Sequence, residues 1–279
     1  MTATQQLFSG NTVKPRRAHV RRLTVRRTER PSPGFVRLTL GSTGDGFEDE
    51  FEHLGFDQWF RLFLPGVDGG LCLPDGAAEG WHTRWRAMPD ESRPTVRNYT
   101  IRDARRAGAE WLLDVDLVVH RHPDDGRVAG VAANWALGAT VGDRVGVLDQ
   151  GRIFDPPEQP GPILVVADES GLPGVEAIAR SLAGREARYL LETATTADQR
   201  GLPGAGRVNW LVRRRDQNPG EAAIARLAEV RIDPASYVYA VGEATLALAT
   251  RARARAAGVA ADHIDFCAYW RRTHDRSGG

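Results

Sequence analysis

The sequence predicts an N-terminal antiparallel β-barrel followed by an α/β unit, a doubly wound parallel sheet. Three observations predict it. Short alternating runs separated by Gly-, Pro- and Asp-rich turns fill residues 18 to about 148. Four prolines fall within residues 155–162, where a sheet interior would exclude them. Beyond them, apolar strands alternate with stretches of helical spacing. At 279 residues the chain is long enough to bury two cores.

Taken in order, residues 1–17 read as a disordered tail closed by Lys14-Pro15-Arg16-Arg17. Residues 35–40 and 59–64 alternate as strands, and residues 112–120 form a longer one, apolar at every second position with acids between. Residues 68–91 read as a loop excursion in which Trp81 and Trp85 pack. The barrel unit is expected over residues 18–155 and the α/β unit over 156–279. In the latter, Ile163-Leu164-Val165-Val166-Ala167 suits a buried parallel strand, and residues 175–182 a helix. Strands at 187–192 and 237–241 and helices at 222–230 and 244–257 follow.

Composition excludes several classes. Thirty-seven basic residues against 36 acidic leave a net charge of +1, so no global field favours nucleic acid or an anionic membrane. The arginines are dispersed, and the aromatics form no stacking platform for bases. No stretch approaches the roughly 20 apolar residues of a membrane span, and no secretory signal opens the chain. Cys72 and Cys267 have no metal-ligand spacing. The expected setting is the cytoplasm, with a monomer and no protein-bound metal.

Arg97-Asn98-Tyr99-Thr100-Ile101-Arg102 carries the most chemistry. On a strand, Arg97, Tyr99 and Ile101 share one face. A guanidinium, a flat ring and a hydroxyl in one run suit a flavin dinucleotide, although an ordinary strand with an outward arginine has the same pattern. Val118 and His120 end the next long strand. Gly130-Val131-Ala132-Ala133-Asn134-Trp135 opens a short helix whose amide N–H groups can face phosphate, or which simply packs on the barrel with Trp135 in the core.

In the second unit, Asp168, Glu169 and Ser170 follow the first strand, where an open α/β sheet binds nucleotides. There is no G-x-G-x-x-G, and Ser170 is equally suited to capping the helix. Glu192 ends the second strand, where an acid meets a ribose hydroxyl and repels a 2′-phosphate; Arg200 is placed to offset it. Gly242 and Glu243 mark another strand end. Arg271 and Arg272 close the chain beside Tyr269 and Trp270 and suit an anionic substrate.

Taken together, these strings resemble the siderophore-interacting proteins, a branch of the ferredoxin reductase-like flavoproteins. The likeness runs from about Ala18 to Trp270 and rests on residues 97–102, 114–120, 167–173, 241–243 and 269–271 in that order. Two positions depart from the family's phosphate turn: Val131 stands for proline and Ala133 for serine. The resemblance implies FAD held by Arg97, Tyr99, Thr100, Ile101, Val118, His120, Ala132, Ala133 and Trp135. It implies NADPH or NADH at Asp168, Glu169, Ser170, Glu192, Gly242 and Glu243, and a ferric siderophore as substrate near Arg271 and Arg272. No protein side chain is required as acid or base, because the flavin carries the electrons. A reductase for another acceptor and a non-enzymatic siderophore-binding protein are the competing readings. Acceptor profiling separates the first, and a colourless protein that cannot take up FAD would favour the second.

Overall fold

The computed structural model describes residues 12–42, 44–121, 125–158, 161–182, 184–202, 204 and 206–272. The chain divides into two compact units, one spanning Val13–Arg152 and one built from Ile153 onward.

The first unit runs β1 (Arg21–Ser32), β2 (Phe35–Ser42), α1 (Phe47–Glu50), β3 (Trp59–Leu64), α2 (Trp81–Ala87), β4 (Thr95–Thr100), β5 (Asp103–Ala107), β6 (Glu110–Val118), β7 (His120–Arg121), β8 (Val128–Ala129), α3 (Val131–Gly138) and β9 (Arg144–Gly151). Its seven-stranded antiparallel sheet has the order β4-β3-β9-β1-β2-β6-β5. Alternate residues of each strand fill the interior: Leu23 and Val25, Leu38 and Leu40, Phe60 and Leu62, Val115 and Leu117 are all buried together. On β2 and β6 the intervening polar residues pair directly across the strands, Arg37 with Asp116 and Thr39 with Asp114. The acids noticed between the apolar residues of β6 therefore have cross-strand partners.

The sheet closes where β4 runs into β5. Ile101 N donates to Gln58 O at 2.7 Å, and Arg102 N donates to Asp114 O on β6 at 2.9 Å. Two residues thus join the two ends of the sheet, which removes its edges at that level.

Four expectations change. The long strand ends at Val118, and His120 belongs to a separate two-residue strand paired with β8. The excursion over 68–91 contains a helix, α2. Within the expected tail, Val13 exchanges two backbone hydrogen bonds with Arg152, and Lys14 Nζ donates to Gln150 O, so these residues are tied to the barrel. Residues 1–11 lie outside the described residues. A further strand over Arg207–Val212 was not foreseen, because it is a half-exposed edge strand without a clean apolar alternation.

The second unit contains β10 (Ile163–Ala167), α4 (Leu172–Ser181), β11 (Ala187–Thr193), β12 (Arg207–Val212), α5 (Glu221–Leu227), β13 (Tyr237–Glu243), α6 (Ala244–Ala256) and β14 (Ile264–Trp270). All five strands are parallel, in the order β12-β11-β10-β13-β14. Leu164 and Val166 on one face of β10 pack with Leu190, Val238, Leu227 and Leu246. Successive strands add outward from β10 to β12, then the chain returns to the other side of β10. The order reverses between β10 and β13, and in such a sheet ligands bind outside the carboxyl ends at that reversal.

Candidate functional site

In the barrel unit, β4 pairs with β3 so that Arg97 lies opposite Leu62 and Tyr99 opposite Phe60. Both partners are barrel core, so Arg97, Tyr99 and Ile101 share the inward face, as the alternation predicted. Exposure rises along that face. Ile101 is 2% exposed at the closed end, Tyr99 is half-buried against the core, and Arg97 is exposed. Burial pushes the Tyr99 hydroxyl well above the ordinary phenol range, so it stays protonated. Ile101 departs from its expected role: its side chain is core and its N–H is already bonded to Gln58, leaving neither for a ligand.

The two arginines of this run differ sharply. Among the described residues Arg97 makes one hydrogen bond, from Nη1 to Val96 O, and no ion pair. Arg102 lies near Asp116, which Arg37 already binds through two bonds of 2.6 and 2.9 Å. One guanidinium is available to an anion and the other is held inside a charge network.

The β7–β8 pairing sets His120 opposite Ala129, one residue before Gly130. Gly130 takes φ +93°, in a region that disfavours a side chain, and opens α3 with open space where a Cβ would stand. The N–H groups of Val131, Ala132 and Ala133 have no partner among the described residues. Ala132 and Ala133 are buried and Trp135 is half-buried against the barrel core, while Asn134 donates back to Val128 O and Gly130 O. Val118 ends β6 half-buried. Free amides at a helix start, small side chains and a guanidinium with no ion pair among the described residues are the kinds of donor that a dinucleotide pyrophosphate requires. The residues fit FAD.

In the second unit, Asp168 is a buried hub at the carboxyl end of β10. Its Oδ1 accepts from Ser170 N at 2.8 Å and from Ser170 Oγ at 2.5 Å. Its Oδ2 accepts from Glu243 N at 2.7 Å and from Trp270 Nε1 at 3.2 Å. Burial, and then the charge of Glu169, push its pKa upward against these donors. Ser170 therefore does not cap α4; the N-cap is Gly171, without a side-chain cap. A Cβ on Gly171 would stand 2.6 Å from Val241 and 2.9 Å from Ala167, so this position serves close helix–strand packing.

The other acids are likewise occupied. Glu169 forms a two-pronged pair with Arg213, both contacts 2.6 Å. Glu192, expected to meet a ribose, is buried: Gly220 N and Ala223 N donate to its two oxygens at the start of α5, and Arg213 approaches at 3.4 Å. Arg200, expected to offset it, is bound to buried Glu176 at 2.7 Å. Glu243 caps α6 by accepting from Thr245 N, and its other oxygen accepts from Arg272 N at 3.4 Å. Arg271 and Arg272 are exposed just past β14. Sequence reasoning missed Arg213 and the anchoring of Trp270. Recognising the β12 strand would have placed Arg213 at a carboxyl end.

Comparison with known proteins agrees with both units. Residues 24–153 match a family model described as the siderophore-interacting FAD-binding domain, and residues 161–273 match one described as siderophore-interacting protein. The chain is 31% identical over 259 residues to an NADPH-dependent ferric-chelate reductase of Escherichia coli (strain K12), covering 90% of this chain and 92% of that protein. Its fold is shared with a siderophore utilization protein from T. fusca (TM-score 0.71, 24% identity, 98% and 99% of the two chains). It is shared also with the siderophore-interacting protein SipS from Aeromonas hydrophila (TM-score 0.68, 23% identity, 91% and 99%). No described helix is long and apolar enough to cross a membrane. With both halves matched and a relative aligned over nearly its full length, the chain belongs to the siderophore-interacting protein family.

Proposed function

We propose that this protein is an FAD-dependent reductase that uses NADPH to reduce iron(III) held in a siderophore, releasing iron(II) in the cytoplasm. The observation that carries the reading is the open donors of the barrel, namely amides at the start of α3 and an Arg97 guanidinium that, among the described residues, have no carboxylate partner. The likeness to a ferric-chelate reductase supports the acceptor and the electron donor.

Residues 18–155 would hold FAD and residues 156–279 the nicotinamide dinucleotide, in a monomer. Bound FAD supplies the chemistry of accepting a hydride and giving electrons up singly. Arg97 and the α3 amides would hold the pyrophosphate, with His120 beside that turn. Tyr99 would present a flat, neutral ring where the core ends, and Thr100, Val118 and Trp135 would line its surroundings. In the second unit, Asp168 fixes the Gly242–Glu243 end of β13 and the Trp270 indole, which would shape the carboxyl-end crevice without offering a free charge to a ligand. Arg271 and Arg272 would attract an anionic chelate.

Siderophores present hard oxygen ligands that bind iron(III) far more tightly than iron(II), so one electron loosens the metal. The test is steady-state turnover of purified protein with NADPH, ferric siderophores of several chelate classes and an iron(II) trap, alongside a flavin absorbance spectrum. Yellow protein that turns over quinones or oxygen but no ferric chelate would assign it to another acceptor. Colourless protein that takes up no FAD would remove the reading.

A further inference from the structure

We propose that Arg214 and Arg215 select NADPH over NADH by binding the phosphate on the 2′ position of its adenosine ribose. This rests on the reading that a nicotinamide dinucleotide docks on the second unit.

In this fold an acid at the end of the second strand reads the ribose hydroxyls and repels a 2′-phosphate. Glu192 occupies that place, yet its side chain is fully buried and both oxygens are taken by the α5 amides. It presents neither acceptor nor exposed charge to a ribose.

The next strand supplies the opposite charge. β12 lies beside β11 with Thr193 opposite Val212, and Arg213 N donates to Thr193 O at 3.2 Å, so the two carboxyl ends finish level. Three arginines follow in succession. Arg213 turns inward, 13% exposed, and neutralises Glu169 and Glu192. Arg214 lies outside, its side chain 70% exposed; among the described residues its one ion pair is with the equally open Asp216 at 3.1 and 3.2 Å, and the charge of Glu221 acts on it from further away. Arg215 is exposed and makes no hydrogen bond or ion pair among the described residues.

A surface pair such as Arg214–Asp216 holds its partners weakly. A phosphate dianion offers two guanidinium groups more charge and more acceptor oxygens than one carboxylate offers one. At the carboxyl end of β11, Thr193 Oγ1 donates to Thr195 O, and Thr195 Oγ1 donates to Asp198. These bonds order the segment next to the arginines without adding an acid to the surface, since Asp198 is itself buried.

The test titrates the flavin-loaded protein with adenosine 2′,5′-bisphosphate and with 5′-AMP by calorimetry. It also measures kcat/KM with NADPH and NADH, in wild type, R214A/R215A and R214K/R215K. In wild type the bisphosphate should bind about tenfold or more tighter than AMP. R214A/R215A should lose that preference, and its NADPH-to-NADH ratio of kcat/KM should fall by a similar factor. R214K/R215K should recover part of both. A bisphosphate preference that survives in R214A/R215A, or equal losses for both nucleotides, overturns the proposal. Equal binding of the two nucleotides in wild type overturns it while leaving dinucleotide docking intact. Binding of neither overturns the docking reading as well.

Discussion

Gly242 and Asp168 meet at the carboxyl ends of adjacent parallel strands: a Cβ on Gly242 would stand 2.6 Å from the Asp168 carboxyl carbon. Gly242 also takes φ +127°, which L side chains rarely adopt. The glycine lets Asp168 reach Glu243 N and Trp270 Nε1 together. Gly242→Ala should therefore destabilise the second unit by about 2 kcal/mol, from strain and a lost buried hydrogen bond. An unchanged thermal midpoint would mean that Asp168 has room to move.

Arg97→Ala and Arg102→Ala should separate binding from stability. The first should weaken FAD binding about tenfold, leaving the apoprotein as stable as before, since it removes a charge that forms no ion pair among the described residues. The second should lower stability more than affinity, because Arg102 lies beside buried Asp116. Flavin titration and denaturant unfolding of both variants check this; a reversed order would place the pyrophosphate on the other face of β4.

Arg213→Ala should be among the most damaging single changes in the second unit. It leaves Glu169 and Glu192 buried without their cation, at a cost of about 3–5 kcal/mol. Pairing it with Glu169→Gln should return part of that loss. Urea unfolding of the two variants measures the difference.

Asp149 sets a pH dependence. It is buried beneath Gln58 and Gly151 N, each donating at 2.8 Å, and burial raises its pKa from 3.8 to about 6. Between those values the folded protein keeps a proton that the unfolded chain has released. Its contribution to stability is full below about pH 4 and is lost as pH rises through about 6. Asp149→Asn should flatten that slope in unfolding curves taken across the interval; an unaltered slope would assign it to another group.

Tyr99→Ala should remove the half-buried ring between core and solvent. The expected result is weaker FAD retention together with a shifted flavin absorbance or potential, read on the purified protein. Unchanged spectrum and retention would take Tyr99 away from the flavin ring.

Much of the fold was legible because local pattern encodes it. The alternation of residues 35–40 and 59–64 and the apolar run of 163–167 each became the expected strand. The edge strand β12 was not, since a half-exposed strand lacks the contrast that periodicity needs. For the sites, the face shared by Arg97 and Tyr99 was readable, whereas the pairing that distinguishes Arg97 from Arg102 was not. Asp168, Glu169 and Glu192 read as ligand contacts, but all three have buried partners inside the fold.

By itself the sequence determined which elements form, in what order, and which family's motifs they carry, because those depend on neighbours within a few residues. Only the tertiary structure decided which charges remain free. Trp270 reaches Asp168, Arg213 reaches Glu169, and Gly220 reaches Glu192 across separations of 102, 44 and 28 residues. A buried carboxylate must find its donors wherever the fold brings them, and no local period records where that is.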